Sequence, residues 1–275
     1  MGRGTTATAA GWRFERRAHR GGFERVVGID EAGRGPLAGP VVAGAVIFPP
    51  GFRMDGLADS KQLPRERRVE LAEAIRANAL AVGVGVASAE EIDRINVLAA
   101  THVAAWRAVA ALAAPPDYFL TDFLELDWAE APVEALVRGD QRCASVAAAS
   151  IIAKVARDGL MCAFGEEFPE YGFAEHKGYG TAGHLEALRA RGPTTIHRLT
   201  FRGVAWFDVA LRHSKTFGDL AEGIAAVESD EEARRVRAKI AEVRERLPER
   251  ERIEIEGLFV ERVRHTTFRL EGIAR

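Results

Sequence analysis

A chain of 275 residues, 47% hydrophobic and 28% charged, can bury a full-sized core, as one large domain with an appendage or as two domains. No apolar run approaches the roughly 18 residues of a membrane span, and the Arg-rich start lacks the apolar centre of a secretory signal. The two cysteines, Cys143 and Cys162, are too few and too far apart for a disulfide framework or a zinc cluster, so a cytoplasmic protein with reduced, packed thiols is expected.

Residues 1–25 carry six Arg against two acids and read as a flexible basic leader. VVGID (26–30) and VVAGAVIF (41–48) are continuous apolar runs of strand length separated by turn residues, as in an opening hairpin of buried strands. Pro64 suits the first turn of a helix over PRERRVELAEAIRANA, and AVGVGVAS then alternates as a strand does. Ser88 with Glu91 forms a capping-box pattern ahead of one long alanine-rich helix ending at about Ala113, before two prolines. YFLTD (118–122) is the next strand. From Ser145 to about Phe168 the chain is apolar nearly all round over its first half, which predicts a buried helix. Thr181 is placed to cap the helix carrying His184 to Arg191. Strands followed by alternating helix and strand predict an α/β domain over 26–204, with a mixed central sheet flanked by helices.

From 205 the composition changes. A charged helix is expected over about 229–247, opened by a capping box at Ser229 and Glu232 and stopped by Pro248. Two strands forming a β-hairpin are expected over about 252–271. A nucleic-acid grip, a docking module and a stabilising flap all remain open for this extension.

Asp30 and Glu31 follow a buried-strand pattern where the chain leaves the sheet, and Asp122 ends YFLTD in the same way. Asp158 lies on the buried helix, four residues after Lys154, so the two share a helical face and can pair. Taken singly, each acid reads as a cap or an ion-pair partner. Four on buried elements are expensive to desolvate unless a cation compensates them, and divalent metal does so with oxygen ligands. The sequence Gly33-Arg34-Gly35 reads equally as a plain turn or as a segment where missing side chains let a ligand approach the backbone. From Lys177 to Arg202 the chain has five basic residues and only Glu186, a local basic stripe. His184 and His197 read as structural hydrogen-bonders, because hard cations prefer oxygen.

The stretches GIDEAGRGPLAGPVVAGAVI, ADSKQL, EEIDRINVLAAT, SVAAASIIAKVARD, FAEHKGYGTAGHLEALRARG and HRLTF, in this order over about 26–203, resemble the ribonuclease HII family. The resemblance implies a ribonuclease H-like fold and metal-dependent endonucleolytic cleavage of RNA in RNA/DNA hybrids, including single ribonucleotides embedded in DNA. It matches Asp30, Glu31, Asp122 and Asp158 to the acids of a two-metal site for Mg²⁺ or Mn²⁺. Gly33, Arg34 and Gly35 match the segment that reads the 2′-hydroxyl, and Tyr179 matches the tyrosine that packs on the following deoxyribose. Ser60 and Lys61 sit where the family meets the substrate backbone. The expected partners are hybrid and ribonucleotide-containing duplexes, bound by a monomer. A sliding-clamp or other replication partner is not evident from the sequence. One departure stands out: the family usually follows its third acid with glycine, and here Phe123 follows Asp122.

Overall fold

Apolar runs that fill both faces of a strand need helices on both sides, and the computed structural model has this arrangement; it describes residues 10–204, 214–247, 251–260 and 262–263. The chain divides into two compact units, Met1–Phe201 and Arg202–Arg275.

In the first unit, β1 (Val26–Ala32), β2 (Val41–Ile47), β3 (Ala81–Ala87), β4 (Tyr118–Asp122) and β5 (Val133–Leu136) form one sheet in the order β3-β2-β1-β4-β5. The first three strands are antiparallel neighbours, while β1, β4 and β5 run parallel. Parallel strands end at one sheet edge, so the carboxyl ends of β1, β4 and β5 converge there. Ile29 pairs with Thr121 and Asp122 pairs with Leu136, which brings Asp30 beside Asp122 and the exit of β5 beside both.

One face of the sheet buries Val27, Ile29, Ala43 and Ala45 against α4 (Val97–Ala110). The other face receives α2 (Arg65–Asn78) and the long α6 (Ala144–Glu167). Two glycines let α6 approach closely. A Cβ at Gly28 would lie 2.1 Å from the Ser145 carbonyl carbon, and one at Gly44 would lie 2.4 Å from the Ala149 oxygen. No larger residue fits between strand and helix there, and this close seat carries the middle of α6 to Asp30.

Four expectations change. The leader is packed from residue 10: α1 (Arg13–Arg20) buries Phe14 and Ala18, spaced i,i+4, against Val26, Leu120 and Leu136. Its Glu15 carboxylate accepts from the Ser145 N–H (2.7 Å) and hydroxyl (2.9 Å), capping α6. A narrow apolar stripe inside an arginine run hid this helix. The long alanine-rich helix is two, α3 (Ala89–Ile95) and α4, because Asn96 adopts φ 69° and its side chain accepts the N–H groups of Leu98 and Ala99. The strand β5 was not foreseen. In the second unit, residues 251–260 are helical where a strand was expected; Ile255 and Phe259, again i,i+4, pack on Leu220, Ile224 and Ile240. Residues 264–271 of the expected hairpin lie outside the described residues.

Two further helices of the second unit lie among the described residues. An unforeseen helix, Lys215–Ala225, starts at Ser214, whose N–H and hydroxyl donate to the Glu251 carboxylate at 2.6 Å each. Asp230–Val243 follows, with the capping box of Ser229 and Glu232 formed. Among the described residues no helix is long and apolar enough to cross a membrane.

Candidate active site

At the edge where the parallel strands end, carboxylate oxygens of Asp30, Asp122 and Asp140 all lie within 4.8 Å of one another. Asp30 is buried and takes the Glu31 N–H at 2.7 Å. Asp122 accepts the N–H of Gly139 at 2.6 Å, tying the end of β4 to α5 (Gly139–Arg142), which carries Asp140. Burial pushes the Asp30 carboxyl well above the usual range, and the neighbouring Glu31 and Asp122 push it the same way. Asp140 is pushed up to about 6, by burial first and then by Asp122 and Asp59. Burial also raises Glu31, which Arg34 partly offsets by donating to its carboxylate at 3.2 Å. Burial opposes charge on Lys61, yet the fields of Asp30, Asp59, Asp140 and Asp122 hold its ammonium above the ordinary value. Lys61 is therefore the counter-charge this acidic group already owns.

Asp158, the expected fourth acid, is not in the group. Lys154 donates to its Oδ1 at 2.7 Å and Arg68 to its Oδ2 at 3.4 Å, so its charge is already neutralised. Asp140 stands in the place expected for it. The rule that picked out Asp30 and Asp122, an acid where a strand ends, also fits Asp140, four residues past the end of β5.

A cleft of about 510 Å³ opens beside the acids, and Glu31, Gly33, Arg34, Gly35, Ser60 and Lys61 line it. Tyr179, 46% exposed, lines it too, next to Gly35, and Arg68 and Lys154 add positive charge to the wall. Every substrate-binding residue expected from the sequence meets in this one cleft. Gly33 has φ +101°, and a Cβ on it would fall 2.1 Å from Arg157 Nε, so only glycine fits there. A Cβ on Gly35 would meet only Tyr179, at 4.0 Å.

Phe123 has φ 55° and is 73% exposed. The left-handed turn after Asp122 explains why glycine suits this position; the phenylalanine holds the turn at a cost of about 1 kcal/mol.

The basic stripe is split by burial. Arg189 and Arg191 are exposed, whereas Arg198 is fully buried. Beside Arg198, His197 and His184 are buried too, with their Nε2 atoms 2.9 Å apart. Burial and the neighbouring His184 lower His197 to about 3. The unfolded imidazole titrates near 6.5, so the unfolded state binds more protons below that value. The stability contributed by neutral His197 is thus complete above pH 6.5 and is lost as pH falls toward 3. We expect His197 to add a slope of about 1.4 kcal/mol per pH unit between pH 6 and 4. Denaturant melts of wild type and His197→Gln, compared across this range, measure it as the difference in slope.

Comparison with known proteins gives a consistent result. Residues 27–204 match the family model described as Ribonuclease HII. The chain is 54% identical over 193 residues to the ribonuclease HII of Geobacter sulfurreducens, covering 70% of this chain and 89% of that protein. It is 53% identical over 191 residues to the ribonuclease HII of Syntrophotalea carbinolica, covering 70% and 91%. Among solved structures it is similar to the ribonuclease H2 of Pyrococcus horikoshii OT3, with a TM-score of 0.60 at 27% identity over 69% of this chain and 100% of that one.

Proposed function

This chain belongs to the ribonuclease HII family of endonucleases, and from that premise we propose that it hydrolyses RNA in RNA/DNA hybrids and nicks duplex DNA at embedded ribonucleotides, leaving 5′-phosphate and 3′-hydroxyl ends. The observation that carries this reading is the meeting, in one cleft, of an acidic group with a turn poor in side chains.

The donor set fits a hard divalent cation. It is made of carboxylate oxygens only, and burial and mutual repulsion hold Asp30 and Asp140 toward their neutral forms. Asp30, Asp122 and Asp140, with Glu31 at their side, would hold Mg²⁺ or Mn²⁺. Two such ions supply Lewis acidity to phosphodiester hydrolysis, at the attacking and the leaving oxygen. Asp158 contributes by holding Lys154 and Arg68 against the cleft wall, where both cations meet phosphate.

The chain's own groups orient the substrate. The 2′-hydroxyl is the one group that separates RNA from DNA at a given site, and the main chain of Gly33, Arg34 and Gly35 is open to it. Tyr179 packs on the next sugar. Lys61 and Ser60 take the backbone, and the exposed Arg189 and Arg191 add a salt-dependent phosphate contact. The test is a duplex carrying one ribonucleotide. A nick beside that residue with ends of the stated chemistry supports the reading; an intact duplex, or 2′,3′-cyclic phosphate ends, contradicts it.

A further inference from the structure

Arg198 is wholly buried, yet among the described residues its guanidinium bonds no carboxylate. It donates to four carbonyl contacts: Nη2 to Gly33 O at 2.5 Å, Nη1 to Arg34 O at 2.9 Å, and Nε and Nη2 to Gly39 O at 2.9 and 2.8 Å. A buried cation satisfied only by neutral acceptors is an expensive way to gain stability. What it does supply is direction. A peptide unit is planar and trans, so a carbonyl turned inward turns the following N–H outward. With the carbonyls of Gly33 and Arg34 fixed on Arg198, the N–H groups of Arg34 and Gly35 face away from the core. Neither has a partner among the described residues, and both residues line the cleft.

His197, next in the chain, reaches Tyr179 through His184. The Thr194 N–H donates to His197 Nδ1 at 2.8 Å, which leaves the His197 proton on Nε2. That proton is given to His184 Nε2 at 2.9 Å, and His184 Nδ1–H donates in turn to the Tyr179 carbonyl at 2.9 Å. The dipeptide is itself fastened: the Arg198 N–H donates to Leu37 O at 2.9 Å, and the Asp93 carboxylate accepts the N–H groups of Leu199 (2.7 Å) and Thr200 (2.9 Å).

We infer that His197 and Arg198 form one positioning element for ribonucleotide recognition, in which Arg198 aims the amide N–H groups of Arg34 and Gly35 at the substrate's 2′-hydroxyl and His197 sets Tyr179 beside them. The inference rests on the substrate reading proposed above. It assigns no chemistry to either residue; both act through the groups they hold.

The test compares wild type with Arg198→Lys, which keeps the charge but loses the planar fork that bonds three carbonyls. The substrates are a duplex with one ribonucleotide and the same duplex in all-DNA form. We expect kcat/KM on the first to fall about tenfold or more per folded molecule, and the binding preference for it over all-DNA to fall in step. Affinity for all-DNA duplex should hold. A folded variant with wild-type preference, or one losing both affinities equally, overturns the inference. A measurement on the wild type needs no variant to fold: in EDTA, the amide protons of Arg34 and Gly35 should shift on adding the ribonucleotide duplex and not the all-DNA duplex. Unmoved amides overturn it as well. A wild type that shows no preference at all overturns the substrate reading and the inference together, and that outcome is visible in the wild-type arm alone.

Discussion

Asp140→Asn should lower turnover by at least about a hundredfold, and Asp158→Asn by less than about tenfold. Asp140 shares the three-carboxylate group and Asp158 does not. The two substitutions also part in stability. The folded-state pKa of Asp140, about 6, lies above its unfolded value near 3.8. Its stabilising contribution is therefore complete below 3.8 and lost as pH rises through 6, so in metal-free protein at pH 8 its charge is a burden. Asp140→Asn should melt at or above wild type under those conditions. Asp158→Asn should melt lower, because Lys154 and Arg68 lose the carboxylate that neutralises them. Single-turnover cleavage and thermal melts of both variants decide the matter; equal losses of activity would return Asp158 to the metal site.

Gly35→Val should cost at least about a hundredfold in kcat/KM on a single-ribonucleotide duplex while leaving the melting temperature within a few degrees. The backbone at Gly35 does not have the positive φ that demands glycine, and a Cβ there meets only the edge of Tyr179. The added methyl groups instead fill the gap between the turn and Tyr179, where the ribose must enter. Gly33→Ala would be a poorer test, since its Cβ would collide with Arg157 and break the turn itself. Normal cutting by a folded Gly35→Val protein would remove the turn from substrate recognition.

Much of this site is legible in the sequence because its signals are local. Asp30 and Asp122 end continuous apolar strands, and the residues around Gly33, Lys61 and Tyr179 sit in motifs that carry the family resemblance. Asp140 was hidden because β5 is a four-residue edge strand, VEAL, with a charge inside it. The Glu134 carboxylate is occupied by Arg17 and by the Tyr118 hydroxyl, partners distant in sequence. Asp158 misled for the opposite reason: its i,i+4 neighbour Lys154 was visible, but Arg68, ninety positions away, was not. Arg198 looked like one more residue of a basic stripe, and only the fold puts it against the carbonyls of the Gly33 turn. The packed leader and the helix at 251–260 show the same limit. A two-residue apolar face spaced i,i+4 is too short to outweigh the charges around it.

The claim at the centre is that Asp30, Asp122 and Asp140, with Glu31, work as a site for divalent ions. The direct measurement is nicking of a single-ribonucleotide duplex by full-length protein in Mg²⁺, in Mn²⁺ and in EDTA, with Mn²⁺ binding to wild type and Asp30→Asn followed by calorimetry. The account predicts nicking with either ion, none in EDTA, and Mn²⁺ binding that is lost in Asp30→Asn. Undiminished nicking in EDTA, or equal Mn²⁺ binding by the two proteins, would contradict it.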